Sequence, residues 1–278
     1  MATIAVNKKK RSTVSIIFSI VGLIVFVVFF ILPLINLLLW AFTNEWRADS
    51  LLPNSFALKW WDYVLKQDKI VSSISLSFLI ATVTTVISAV ICIPAAYAFS
   101  RITFPFRRFF MFSFLLTNAF PKMGLYVSIA YLFFKLGLMN TFVGIIIIHM
   151  LNTLMYMTWI PSSSFKNVHK ELEEASRDMG AGPLRTFFSV TLPMALPGIL
   201  VACIFTFLAS LNEAQGTFLV GVPDFMTMPV IMYSIVADYP VSAGAVFSII
   251  LSLPTVLLIS ILRKYTGTEA LAKGFSMK

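Results

Sequence analysis

The feature that most restricts this chain is a series of long apolar windows. Residues 14 to 42, 71 to 99, 109 to 134, 141 to 162, 191 to 212 and 241 to 262 are almost free of charge, the third being interrupted by Pro121-Lys122. Each is about as long as the roughly 20 residues a helix needs to cross a hydrocarbon layer. Lipid offers no partner for backbone N–H and C=O groups, so segments that cross it must be helical or form a closed barrel. Windows of this length select helices. The pattern predicts an all-α, polytopic membrane bundle of six spans. With 59% of the 278 residues hydrophobic and 12% charged, no polar block is long enough to fold alone, so a single membrane domain over 1–278 is expected.

The formal charge of +9 could suggest nucleic acid, but the cations are not gathered in one patch. They recur at span ends, as the positive-inside rule requires. An inside amino terminus places Lys8, Lys9, Lys10 and Arg11, then Arg101, Arg107 and Arg108, then Lys166, Lys170, Arg177 and Arg185, then Arg263, Lys264, Lys273 and Lys278 on the cytoplasmic side. Outside lie Arg47, Lys59, Lys66 and Lys69, with Lys122 and Lys135 in or beside the third span. Both termini are therefore expected inside, with residues 1–12 as a basic cytoplasmic tail and no nucleic-acid partner. The first apolar run is too long for a cleavable signal and has no small-residue cleavage site, so it reads as an anchor. Cys92 and Cys203 fall inside spans and read as packing residues.

Between the first two spans, Asn54-Ser55 is expected to cap a helix whose Phe56, Trp60, Tyr63 and Val64 share one interfacial face. The basic turn "SRITFPFRRF" sets topology and touches anionic lipid. In "TNAFPKMGLY", Pro121 and Lys122 lie in the middle of the third window. A lysine there costs about 2.5 to 3.5 kcal/mol on insertion scales, which is tolerable only against protein or a wet cavity. Two readings stay open, a solute pathway or a kink whose lysine is paired. His149 reads as a hydrogen-bonded interior residue, and "VPDFMTMPVIMYSIVADYP" as an external loop or re-entrant element. Asn118, Lys122, Asn152, Tyr156, Asn212 and Glu213 are the candidate pathway residues, because polar groups at membrane depth face a cavity or a neighbouring helix.

Against this background "ELEEASRDMGAGPLRTFFSVTLP", residues 171 to 193, concentrates three glutamates, an aspartate and two arginines. Leu172, Ala175, Ser176 and Met179 recur at helical spacing as a narrow stripe, with glutamates crowding the first turn. Gly180 stands where a left-handed C-terminal cap belongs, and Pro183 suits the first position of a second short helix. Pro193 and Pro197 mark the start of the fifth span. The expected product is a helix-turn-helix over residues 164–193, projecting into the cytoplasm and suited to docking on another protein.

The same stretch resembles the transmembrane permease subunits of bacterial binding-protein-dependent ABC importers. Their signature is Glu-Ala-Ala, three residues, Gly, nine residues, Ile, one residue, Leu-Pro. Here Glu174-Ala175-Ser176, Gly180, Val190 and Leu192-Pro193 stand at that spacing, with Ser176 replacing the second alanine and Val190 the isoleucine. "AYAFSRITFPFRR", the "FP" of the third span, "LGLMNT" and "LNE" look like the carbohydrate-type subfamily, over roughly residues 70 to 265. His169 stands where proline is common, and "FLVGVPDFMTMPVIMY" is closer to permeases for polyamines, ferric ions or phosphonates.

The resemblance implies a coupling helix seated on an ATP-binding subunit, with Glu171, Glu174, Ala175, Ser176, Met179, Gly180, Leu192 and Pro193 as the contact and turn positions. It implies two ATP-binding subunits, a second and different permease, an extracellular solute-binding protein and a plasma-membrane location. The chain itself has no phosphate-binding glycine loop, so no cofactor is expected on it, and ATP and Mg belong to the partner subunits. No His-Glu-x-x-His, Gly-x-Ser-x-Gly or clustered metal ligands argue for an enzyme. The solute reads as a sugar or oligosaccharide, with a polyamine, phosphonate or ferric ion as the runner-up. A secondary transporter using Glu213 or Lys122 as a proton site would leave the charged loop unexplained.

Overall fold

The computed structural model describes residues 13–46 and 50–275, with side chains at most positions from 18 to 260. Among them, five helices are long and apolar enough to cross a bilayer, namely Phe18–Ala41, Lys69–Arg101, Phe142–Asn167, Pro183–Leu211 and Val241–Ser260. The basic residues 8–11, and the side chains of Arg263, Lys264, Lys273 and Lys278, lie outside the described residues.

The chain divides into two compact units. The first comprises Met1–Val64 and Tyr239–Phe247. In it α1 (Thr13–Ala41) buries none of its apolar window, so its whole girdle of Leu, Ile, Val and Phe is left for lipid or other helices. The strand pair β1 (Thr43–Glu45) and β2 (Ser55–Phe56) follows, then α2 (Lys59–Leu65). The helix expected from Asn54 therefore begins five residues later. Asn54 N–H donates to Glu45 O at 2.9 Å and Ala57 N–H to Phe42 O at 2.9 Å, so this backbone is consumed by strand pairing. Trp40 stacks on Trp46 and Phe42 packs on Trp61, giving an aromatic cluster where α1 ends.

The second unit comprises Leu65–Asp238 and Ser248–Lys278. Its core is α3 (Asp68–Arg101), α6 (Phe142–Asn167) and α9 (Leu192–Leu211), which share the most extensive helix contacts. Hydrophobicity cannot draw these helices together in lipid; close approach of small residues can. On α3 the buried face is Ser73, Ser77, Ala81, Thr84, Ser88, Cys92 and Ala96, a stripe at intervals of three or four. On α9, Gly198 meets Ser164 of α6 so closely that a Cβ would collide with its side chain.

The third window is divided. Phe120, extended before Pro121, ends α4 (Arg107–Ala119), and α5 (Lys122–Leu136) starts directly after the proline. At about 1.5 Å per residue, these 13- and 15-residue helices each reach only roughly 20 Å. "LGLMNT" turns the chain into α6: Gly137 caps α5 at φ 68°, and the Thr141 side chain accepts from Gly144 N–H at 3.0 Å.

Beyond α9, the segment expected to be a loop or re-entrant element is largely helical. It holds α11 (Met228–Asp238), and α10 (Gln215–Gly221) precedes it; both are too short to span. The start of α11 is fixed on α3, where the Ser77 hydroxyl accepts from Met228 N–H at 2.8 Å. The last helix, α12 (Val241–Phe275), begins in the first unit and continues in the second.

Candidate functional site

The charged loop forms α7 (Lys170–Asp178) and α8 (Pro183–Thr186). Gly180 adopts φ +88°, Gly180 N–H donates to Arg177 O at 2.8 Å, and Ala181 N–H donates to Ser176 O at 3.1 Å. This is a Schellman termination, which needs the left-handed residue the sequence supplies. Pro183 opens α8 as expected. From there the chain does not stop at Pro193. A π-helical turn, Phe187–Thr191, joins α8 to α9, and Leu192 N–H donates to Phe187 O across it. The wider turn accommodates the missing N–H of Pro193, so Pro183–Leu211 is one continuous 29-residue helix. A displacement of α8 is thereby a displacement of the spanning helix that follows it.

The inner side of α7 is held by an ion pair that sequence reasoning missed. Glu173 is 5% exposed and its Oε1 accepts from Arg101 Nη2 at 2.8 Å, Arg101 Nε at 3.1 Å and Thr191 Oγ1 at 2.9 Å. The Arg101 Nη2 also donates to Val168 O at 2.8 Å. One carboxylate and one guanidinium thus join the end of α3, the α6–α7 corner, α7 and the π-helical turn. No periodicity links positions 72 apart, and Glu173 looks like one more acid of a solvated first turn.

The outer side of α7 carries Glu171, Glu174, Ala175 and Met179, all exposed, Met179 by 84%; Leu184 and Phe188 adjoin them in sequence and are also exposed. Ser176 does not belong to that stripe. One residue after Ala175 it lies about 100° round the helix, buried with its hydroxyl 3.3 Å from Thr186 Oγ1. It joins α7 to α8. Leu192 packs on the cluster of Ala96, Phe165, Val168, Ala195 and Ile199, while Pro193 is exposed.

A second polar group lies within the bundle. The Lys122 ammonium donates to Asn152 Oδ1 at 2.8 Å and lies 3.9 Å from Glu213 Oε2. Glu213 accepts from Tyr126 OH at 3.0 Å and from Gly216 N–H at 2.9 Å. The Glu213 side chain is only 3% exposed, whereas that of Lys122 is 42% exposed. Asn118 Nδ2 reaches Asn152 O at 3.4 Å. The structure thus brings together Asn118, Lys122, Asn152 and Glu213 from α4, α5, α6 and the α9–α10 junction. It leaves out two others: Asn212 donates back to Leu208 O at 2.8 Å, and Tyr156 stacks on Phe205. Tyr126 was not foreseen. His149 is interior as expected, its two ring nitrogens each 2.7 Å from a hydroxyl, Ser210 and Thr217.

Removing one partner of a buried ion pair strands the other and costs about 3–5 kcal/mol, whereas an exposed side chain away from such a feature costs within about 0.5 kcal/mol. Glu173→Ala is accordingly expected to lower the thermal unfolding midpoint of the purified protein clearly, and Glu174→Ala to leave it in place. Equal midpoints for the two variants would refute the assigned orientation of α7.

Residues 88–266 match the family described as binding-protein-dependent transport system inner membrane component. The trehalose transport system permease protein SugB of Mycobacterium tuberculosis (strain CDC 1551 / Oshkosh) is 26% identical over 227 residues, covering 80% of this chain and 83% of the relative. The putrescine transport system permease protein PotI of Escherichia coli (strain K12) is 25% identical over 210 residues, covering 73% and 74%. In fold, the chain is similar to a solved bacterial ABC transporter involved in the import of the acidic polysaccharide alginate, with a TM-score of 0.71 at 19% identity over 92% of this chain and 99% of that one. With a family match across both polar groups and a loop built as a braced helix, this chain belongs to the inner-membrane permease components of binding-protein-dependent ABC importers.

Proposed function

We propose that this chain forms, with a second and different permease, the membrane path for a sugar or oligosaccharide delivered by an extracellular binding protein, driven by two ATP-binding subunits. In this reading the divided helix pair α4–α5 counts as one span, giving six with both termini cytoplasmic. The basic residues Arg101, Arg107, Arg108 and Lys166 lie at the ends of spans on the side that carries α7, which supports that orientation. The observation that carries the proposal is the two-sidedness of α7. One face is fastened through Glu173 to Arg101 at the end of α3 and to Thr191 of the π-helical turn, and the other presents Glu171, Glu174, Ala175 and Met179 to solvent. Such a helix can take force from a docked protein and pass it through the continuous Pro183–Leu211 helix to the bundle. ATP and Mg bound to the partner subunits would supply that force as they close and reopen, and the permease pair would rock between outward-open and inward-open states.

The solute class rests on the polar cluster. A polycation would need accessible carboxylates along the path, as the putrescine relative prompts one to ask. Glu213 is instead buried and already holds Tyr126, the Gly216 N–H and Lys122. The groups left half-open are Lys122 and Asn118, hydrogen-bond donors suited to hydroxyl-rich solutes. The same occupancy weighs against a secondary transporter with Glu213 as its proton site, which would need solvent access to the carboxylate.

In this reading Glu174 meets cationic groups of the ATP-binding subunit, and reversing its charge sets like charges face to face, so Glu174→Lys should reduce uptake at least tenfold in membranes that retain normal amounts of the protein. Gly180 has free space around it, and its constraint is the backbone. Gly180→Leu, which adds about 1–2 kcal/mol of left-handed strain, should abolish uptake, while Gly180→Asn keeps most of it. Normal uptake by both Glu174→Lys and Gly180→Leu would reject the coupling role. For the path, Lys122→Ala should raise the KM for uptake and Asn212→Ala should leave it unchanged; unaltered kinetics in Lys122→Ala would assign that lysine to helix packing alone.

A further inference from the structure

Three cations converge on a cleft that neither the coupling loop nor the polar cluster uses. Its volume is about 560 Å³, and it is lined by Phe104, Phe106, Arg107, Arg108, Met111 and Lys166. The α3–α4 connection and the first turn of α4 form one wall and the end of α6 the other. The walls are fixed to each other, because Trp159 Nε1 on α6 donates to Met111 O on α4 at 3.0 Å and Trp159 packs edge-on against Phe112. The cleft is therefore preformed.

No acidic side chain lines it, and among the described residues no carboxylate pairs with Arg107, Arg108 or Lys166. Like charges held around one concavity repel one another and focus a positive potential that an anion relieves. Two guanidinium forks and an ammonium suit a phosphate, whose oxygens accept bidentate hydrogen bonds. Beside the cations, Phe106, Phe109, Phe110 and Phe112 are all exposed, Phe106 by 76%. A soluble phosphate compound has no use for that aromatic surface, whereas acyl chains do. The cleft also adjoins the braced joint. Arg101, which grips Glu173, is five residues before Phe106, and Lys166 is two before Val168, whose carbonyl Arg101 also binds.

We propose that this cleft is a specific site for an anionic phospholipid, with the headgroup phosphate held by Arg107, Arg108 and Lys166 and the acyl chains lying along the exposed phenylalanines of α4. The lipid would anchor the α3–α4 corner to the leaflet at the base of the coupling helix. A basic pocket between helices at the cytoplasmic surface is the expected geometry for such a headgroup, and each cation near an anionic surface contributes about a fivefold change in affinity.

The test is native mass spectrometry of the full-length chain in detergent, titrated with phosphatidylglycerol or phosphatidylcholine, reading the tightest-bound lipid. Wild type should prefer phosphatidylglycerol at least fivefold. The triple variant Arg107→Gln, Arg108→Gln, Lys166→Gln should lose that preference, and Arg107→Lys with Arg108→Lys should keep part of it. Lys166→Gln alone, at an exposed position that folding does not need, should weaken the lipid about fivefold and guards against misfolding of the triple variant. Excess glycerol 3-phosphate should fail to displace the lipid. Preference unchanged in both the triple variant and Lys166→Gln would overturn the site. Displacement by glycerol 3-phosphate would overturn the lipid and assign a soluble phosphate instead. Both readouts are independent of which solute the permease carries.

Discussion

The Arg101–Glu173 pair is the interaction on which the mechanical reading of this protein depends. The nine-residue α7 is too short to be stable by propensity, and it lies at the end of the bundle rather than inside it. Its rigidity has to come from tertiary contacts, and those contacts are polar. Arg101 and Glu173 are 9% and 7% exposed at their side chains, with Thr191 and the Val168 carbonyl completing their hydrogen bonds. A buried pair of this kind is a weak source of net stability but a strong source of position, because any other placement of α7 leaves two unsatisfied charges. The Schellman turn at Gly180 and the unbroken helix from Pro183 to Leu211 extend that positional control from α7 into the membrane.

The same economy governs the cluster at membrane depth. Glu213 follows the end of α9 and meets donors from α5 and from the first turn of α10, so its carboxylate ties α5 to the α9–α10 junction. Lys122 can occupy the broken third window because Pro121 has already ended α4, which exposes backbone and leaves room for a polar side chain to turn toward Asn152. Its half-exposed ammonium beside a nearly inaccessible carboxylate makes the cluster asymmetric, and the proposed preference for hydroxyl-bearing solutes over polycations rests on that asymmetry.

Much of this was legible in the sequence where the governing physics is local. Span existence follows from apolar length, the break at Pro121 from the geometry of the residue before proline, and the Gly180 cap and the Pro183 start from backbone conformations that few residues adopt. The spacing from Glu174 to Pro193 carried the family, and the family match bears it out. What escaped was non-local. Glu173 finds Arg101 across 72 positions, and Tyr126 finds Glu213 across 87. Ser176 reads with Leu172, Ala175 and Met179 as one narrow stripe because small residues count as apolar, although one step along a helix changes face by about 100°. The cap-like pair Asn54-Ser55 points to a helix with Trp60, Tyr63 and Val64, which is present as α2, but residues 54–57 are taken up by pairing with residues 42–45 and delay its start to Lys59. The mixed region after Val222 lacks spanning length, and its 11-residue α11 was hidden by prolines that in fact delimit it.

The most direct test is to place a photo-crosslinking residue at Met179, Ala175 or Ser176 in turn and to identify the adducts in energised and nucleotide-depleted membranes. Met179 and Ala175 should capture an ATP-hydrolysing protein from the cytoplasmic side, with yields that change with nucleotide, and Ser176, turned toward α8, should not. Capture from Ser176 but not Met179, or no adduct with any ATPase in either condition, would mean that α7 is not the part that receives the force.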